Sequence, residues 1–212
     1  MTGTGKTYLA RHLTAKIPRL VIIDTKGTLR DWNTIAWEQG HGKLKSSEPI
    51  RLRVQPPIDV KSINEYLDNV FLTCYRAGNL TVYIDEVYGV TPPGSSVMPS
   101  LFGLYTRGRE LGIGVFSASQ RPSWLPLVAI SESEHFFEFR LQLADDRKRM
   151  AAFMGEEVLN TPNDPHGFYY YRAGDADSVY YSKLEEDSLK LKTISAQKQE
   201  KNQKTFWRQL WI

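Results

Sequence analysis

Short apolar runs alternating with amphipathic helical segments predict an α/β layered fold, with a mainly parallel sheet flanked by helices. Three observations carry that prediction. Two buried-strand runs, "RLVIID" and "LTVYIDE", each end in acid at Asp24 and Asp85–Glu86. Helical periodicity separates the strand-like runs along the chain. A last stretch, "HGFYYYRAGDADSVYYSKL", reads as two aromatic, β-prone strands around a Gly-Asp turn, so a C-terminal β-hairpin closes the pattern.

The elements follow in order. "KTYLARHLTAKI" has helical spacing through Leu9, Ala10, Leu13 and Ile17 and stops at Pro18. "RLVIID" is a strand ended by the turn residues "TKG". Residues 28–49 are polar without a strong period and suggest an exposed excursion. "IRLRVQPP" alternates as a strand does. "SINEYLDNVFLTCYRAG" is an amphipathic helix closed by Gly78, and "LTVYIDE" is the second buried strand. After the loop "TPPGSS" come a helix in "MPSLFGLYTRGREL", a strand in "GVFSASQ", the linker "RPSWLP", the strand "HFFEFRL" and the short helix "DDRKRMAAFMG". One domain over residues 1–184 and a basic tail or helix over 185–212 account for the chain.

Bulk properties narrow the class. At 212 residues, 41% hydrophobic and 24% charged, the chain has the make-up of a folded domain. No apolar run reaches the roughly 18 residues of a membrane helix, and no signal-peptide pattern is visible. Cys74 is the single cysteine, which excludes an internal disulfide and a cysteine-based metal cluster and favours a reducing cytoplasm. The net charge of +3 is mild, but residues 188–212 hold six basic residues against one acid. Such a tail is ordinarily a solvated end, with polyanion contact the less common use.

Two motifs carry chemistry. "MTGTGKT" supplies the end of the phosphate-loop pattern Gly-x-x-x-x-Gly-Lys-[Ser/Thr], through Thr2, Gly3, Thr4, Gly5, Lys6 and Thr7. Backbone N–H groups at a helix start cradle phosphates, the lysine reaches the outer phosphates, and the threonine hydroxyl holds Mg²⁺. The bland alternative is a glycine-rich turn that starts a helix. About 80 residues on, "LTVYIDE" has the form of a strand that ends in a metal-holding Asp85 and a water-activating Glu86. Alone, such a pair is usually a solvated turn; behind a phosphate loop the catalytic reading is favoured. Gln120, ending "GVFSASQ", is placed for an amide beside the γ-phosphate, with a polar strand end as the plain alternative.

Taken together, "MTGTGKT", "VIIDTKG", "VYIDE", "GRELGIGVFSASQRPSWLP" and "FFEFRL" resemble, in matching order over residues 1–184, the FtsK–HerA superfamily of DNA-pumping ATPases. Thr25 stands where the family's strand ends in Asp-Pro-Lys-Gly. At this size the chain is most similar to viral genome-packaging members. The resemblance implies a RecA-like (ASCE) P-loop NTPase core with Walker A and Walker B motifs. It implies ATP and Mg²⁺ as cofactors, Lys6 and Thr7 at the phosphates, Asp85 and Glu86 at metal and water, and Gln120 as sensor. It implies a homo-oligomeric ring, expected to be a hexamer, moving double-stranded DNA, with a capsid vertex protein as docking partner and association with the virion. An arginine from one subunit completes the neighbour's site; Arg109 is the first candidate, Arg107 and Arg140 weaker ones. The family's loop reads Gly-Met-Thr-Gly-x-Gly-Lys-Thr, so a strand is expected before Met1, with this chain a fragment or a misassigned start.

A DNA pump grips phosphates with Lys and Arg on pore loops. The excursion carries Lys26, Arg30, Lys43, Lys45, Arg51 and Arg53, with Trp32 and Trp37 among them. The first of these residues, Lys26, Arg30, Lys43 and Lys45, are the DNA candidates, and "TPPGSS" is a second candidate loop. Two other readings stay open. One is the assembly ATPase of filamentous phage, of the zonula occludens toxin type. The other is a module that binds nucleotide or DNA without hydrolysis.

Overall fold

The computed structural model describes residues 4–57, 59–174, 179–185 and 188–193. Thr2 and Gly3, and the tail from residue 194, lie outside the described residues. The single domain expected over 1–184 divides into two compact units, Thr7–Glu132 and Met1–Lys6 with Ser133–Ile212.

The larger unit holds a parallel sheet of five strands in the order β2-β3-β1-β4-β5. These are β1 (Arg19–Ile23), β2 (Ile35–Ala36), β3 (Ile50–Val54), β4 (Thr81–Ile84) and β5 (Gly114–Ser117). β1 is central because "RLVII" can be buried on both faces, and all five of its residues are. Side chains alternate across it. Val21 and Ile23 join Leu52, Val54, Val82 and Ile84 against α3 (Val60–Ala77) and α4 (Pro99–Arg107), where Leu67, Phe71, Cys74, Leu101 and Leu104 complete the main core. Leu20 and Ile22 point the other way, to Tyr83, Leu29, Trp32 and Ala10 of α1 (Lys6–Thr14). Gly78 closes α3 with φ +62°, the left-handed turn that its place after the helix requires.

The excursion of residues 28–49 is built rather than loose. It contains β2, a single helical turn α2 (Trp37–Gly40) and a 3₁₀ turn (His41–Lys45). Trp32 and Trp37 are buried, and Trp32 stacks on Tyr83 with ring centroids 5.2 Å apart. Neither indole is exposed to stack on a base, contrary to the expectation of an exposed segment. Buried Arg19 explains the order. Its guanidinium donates to the carbonyls of Leu44 (3.0 Å), Ser46, Glu48 (3.2 Å) and Asn79 (2.9 Å), stitching the excursion to the start of β1. Long-range side chain to backbone bonds of this kind leave no mark in local sequence.

The smaller unit holds an antiparallel sheet, β6-β7-β8-β9, made of β6 (His135–Phe139), β7 (Gly167–Arg172), β8 (Tyr180–Glu185) and β9 (Ser188–Thr193). The expected hairpin is β7 and β8. The segment read as tail begins instead with β9, paired to β8, because "SLKLKT" alternates with the period of a strand. Helix α6 (Ala144–Met154) belongs to this unit, while α5 (Leu127–Ser131) lies at the end of the larger one. Phe137, Phe139, Phe168 and Tyr170 pack as tilted pairs 5.0–5.9 Å apart on one face. On β6 Glu138 is 2% exposed, opposite Tyr169, with neither carboxylate oxygen hydrogen-bonded. Burial pushes its carboxyl up to about 8, with the charge of Arg147 opposing.

Two outcomes follow from this packing. Trp32→Ala removes a buried stacked ring and should cost about 3–5 kcal/mol in urea denaturation, where an exposed indole would cost little. For Glu138 the folded state keeps a proton that the unfolded chain gives up between its ordinary value of about 4.5 and about 8. Stability should therefore fall as pH rises through that window, and denaturation midpoints of Glu138→Gln should fall less steeply over the same range.

Candidate functional site

The site is assembled by parallel pairing. Ile23 of β1 lies opposite Ile84 of β4, so the residues that follow both strands emerge at one edge of the sheet. The Asp85 N–H donates to the Ile23 carbonyl (3.2 Å) and continues the ladder one step past β4. That edge, at the carboxyl ends of parallel strands, is where ligands bind in open α/β sheets.

Asp24, fully buried, builds the turn after β1. Its carboxylate accepts the backbone N–H groups of Thr28 and Leu29 (3.0 Å each), and Arg53 of β3 lies 3.4 Å from Oδ2. Between these anchors the chain turns through Gly27 at φ +69° and presents Lys26. Asp85 is 8% exposed, and its Oδ1 accepts the Tyr83 hydroxyl at 2.8 Å. Burial, then the charge of Asp85, pushes the Tyr83 hydroxyl well above its ordinary value, so it stays a donor.

Glu86 is 1% exposed and doubly held. Lys26 Nζ donates to Oε2 at 3.1 Å, and the backbone N–H of Gln120 donates to Oε1 at 3.0 Å. Gln120 thus meets Glu86 through its main chain rather than its amide. The Val87 N–H donates to the Ala118 carbonyl (3.0 Å), pinning the exits of β4 and β5 together.

Helix α1 brings Thr7 toward the same edge. Arg51, at the start of β3, donates to the carbonyls of Thr14 and Ile17, so the end of α1 lies at the strand-start edge. The helix then climbs about 1.5 Å per residue back toward the strand ends. Arg11 already reaches Asp31, in the loop after β1, at 2.6 Å, and Thr7 lies a turn further on. Asp85 shares the α1 face with Tyr83, two residues before it. Thr7 and Asp85 therefore belong to one face and one edge.

The unit boundary falls between Lys6 and Thr7. In the smaller unit Gly5 adopts φ +105°, a backbone angle that favours glycine, and a Cβ there would come within 2.8 Å of Leu184 Cδ1 and 3.0 Å of Phe139 Cε1. Lys6 Nζ donates to Thr4 Oγ1 at 3.3 Å.

The remaining candidates separate. Arg109 and Arg107 are exposed, Arg109 in the 3₁₀ turn that precedes β5, at the strand-start edge and away from Glu86 of its own chain. Arg140 is exposed at the end of β6. Lys26 and Arg30 lie at the Glu86 edge, but Lys43 and Lys45 line a cleft of about 910 Å³ at the opposite edge, with Lys16 and Arg51. The four DNA candidates do not form one patch. In the "TPPGSS" loop Pro92–Ser96 are exposed and Thr91 is buried. Sequence reading missed the Lys26–Glu86 pair and the Asp24 anchor. Aligning "IDTKG" beside "YIDE" would have found the pair once β1 and β4 were known to be neighbours.

Among the described residues no group of three or more His, Cys, Asp or Glu is arranged to hold a metal. Mg²⁺ does not need one, since one or two carboxylates with phosphate and water oxygens suffice. Asp85 fits that role, because Oδ2 accepts none of the hydrogen bonds among the described residues.

A parallel sheet flanked by helices, a separate antiparallel sheet and acids at the strand ends define the P-loop type of fold found in viral packaging NTPases. Among the particular structures it matches are those of the genome packaging NTPase B204. B204 of Sulfolobus turreted icosahedral virus 2 in complex with AMPPCP superposes with a TM-score of 0.67 at 19% identity, over 86% of this chain and 94% of that one. The DNA-packaging ATPase B204 of Sulfolobus Turreted Icosahedral Virus gives 0.64 at 20% identity, with the same coverage. In sequence the chain is 30% identical over 125 residues to the DNA packaging ATPase P9 of Enterobacteria phage PRD1, covering 54% of this chain and 52% of P9. The chain spans about half the length of that curated relative. No family model matches it.

Gly5→Ala should cost about 1–3 kcal/mol through its backbone angle alone, and the Leu184 contact adds to that. A lowered melting midpoint in thermal denaturation is the expected outcome.

Proposed function

We propose that the chain is the ATPase of a viral genome-packaging motor, which hydrolyses ATP to move double-stranded DNA. The observation that supports this reading is the strand-end edge where buried Glu86 follows Asp85, whose carboxylate is held by the Tyr83 hydroxyl. P9 and B204 are both packaging ATPases, which supports DNA as the cargo. AMPPCP and ATP-γS in the B204 complexes support a nucleoside triphosphate as ligand.

In this mechanism Thr4, Gly5 and Lys6, with Thr2 and Gly3, wrap the phosphates at the start of α1, and Lys6 neutralises their charge. The Thr7 hydroxyl and the Asp85 carboxylate would hold Mg²⁺, which would supply charge compensation for the transferring phosphoryl group. Tyr83 fixes the Asp85 rotamer by its hydrogen bond. Glu86 orients the attacking water and takes its proton at a carboxylate oxygen. The main chain at Gln120 carries the state of Glu86 to β5. Arg109, remote from its own chain's Glu86, serves the site of the next subunit in a homo-oligomeric ring, in which a hexamer is expected. Arg30 and Lys26 are the DNA contacts nearest the chemistry, and a capsid vertex protein is the docking partner. No helix of the described residues is long and apolar enough to cross a membrane.

Steady-state ATP hydrolysis tests the reading. Glu86→Gln should lower turnover by about 10²–10⁴ while ATP-analogue affinity holds, as expected for loss of a general base. Turnover equal to wild type in Glu86→Gln, or none in wild type with DNA present, would show that the acid pair is not a hydrolytic centre.

A further inference from the structure

The contact between Lys26 and Glu86 has no counterpart in the chemistry assigned to either residue above. Both carboxylate oxygens of Glu86 are engaged, Oε2 by the ammonium at 3.1 Å and Oε1 by the Gln120 N–H at 3.0 Å. A water that is to be deprotonated must approach the same oxygens, so the ammonium competes with it for the lone pairs of Oε2. The two ends of the pair differ sharply in exposure. Glu86 is 1% exposed, whereas the Lys26 side chain is 34% exposed. Lys26 therefore reaches in from the surface, while Glu86 has nowhere else to go.

The Lys26 turn is firmly based. Asp24 holds the N–H groups of Thr28 and Leu29, Arg53 braces Asp24, and Gly27 supplies the left-handed turn. Only the four-carbon stem of Lys26 has to move for the ion pair to open. Lysine is a compact, strongly hydrated charge that binds phosphate as a point charge and swaps partners readily. Arg30, exposed four residues further on, adds a second cation to the loop after β1.

We infer that Lys26 is a DNA-operated latch on Glu86. Without a polyanion it holds Oε2 and keeps water hydrolysis slow. A backbone phosphate of double-stranded DNA draws the ammonium outward, and Glu86, still oriented by the Gln120 N–H, becomes free to accept the proton of water. Lys26 is a positioning residue in this scheme, and it links cargo binding to turnover within one subunit. The inference rests on the hydrolytic reading of Glu86.

The test is ATP hydrolysis by the full chain, with and without random-sequence double-stranded DNA, for wild type, Lys26→Met and Lys26→Arg. Lys26→Met should raise DNA-free kcat roughly tenfold, the scale of one partly buried charge contact. Its KM for ATP should stay unchanged, and DNA should stimulate it no further. Lys26→Arg should restore a low DNA-free rate. Wild-type stimulation should fade as salt rises, since it depends on phosphate contact. Lys26→Met that keeps a low DNA-free rate and full DNA stimulation overturns the latch alone, as does loss of turnover under both conditions or wild-type turnover indifferent to DNA. Absence of wild-type turnover overturns the hydrolytic reading together with the latch.

Discussion

The pairing of β1 with β4, parallel and in register from Leu20–Thr81 to Ile23–Ile84, is the constraint on which the candidate site depends. It places the turn after β1 beside the acids after β4, so a lysine and a glutamate 60 residues apart come within 3.1 Å. The pairing is secure because residues 20–23 of β1 are fully buried and flanked on both sides by hydrogen-bonded neighbours. An edge strand would offer only one ladder and a wetter face. β5 illustrates that: it occupies an end of the sheet order, and Gly114 and Ser117 are exposed.

Charge inside the larger unit is handled by one rule, that each buried ion has a hydrogen-bonded partner. Asp24 uses two backbone N–H groups and Arg53; Glu86 uses Lys26 and the Gln120 N–H; Arg19 uses four carbonyls. Ions arranged this way rigidify their surroundings, because breaking one contact strands a charge away from water. Of the two ion pairs, Lys26–Glu86 has the more exposed end, 34% for Lys26 against 21% for Arg53, which makes it the readier to exchange partners. Glu138 in the smaller unit departs from the rule: it is buried with both oxygens unbonded, and it meets the cost by holding its proton toward neutral pH.

The basic excursion shows how composition misleads where geometry decides. Six cations along residues 26–53 read as one polyanion surface, yet Arg51 and Arg53 serve helix carbonyls and a buried carboxylate. Lys43 and Lys45 lie at the edge opposite Lys26 because β3 starts where they end and runs parallel to β1. Five strand residues at about 3.3 Å each separate the two groups by about 16 Å. The indoles between them belong to the core, Trp32 through its stack on Tyr83.

By itself the sequence determined the α/β class, because the buried-strand runs, the helical periods and the closing Gly78 each follow from local pattern. Local pattern also marked the start of α1 at Lys6 and the end of β4 before Asp85, since a helix start and a strand end are written in adjacent residues. Only tertiary structure decided strand order, and with it which turn faces Glu86. It likewise turned polar residues 28–49 into built structure through Arg19, and drew β9 out of a segment that read as tail. These features depend on contacts between residues far apart in the chain, whose energies a local window of sequence does not contain.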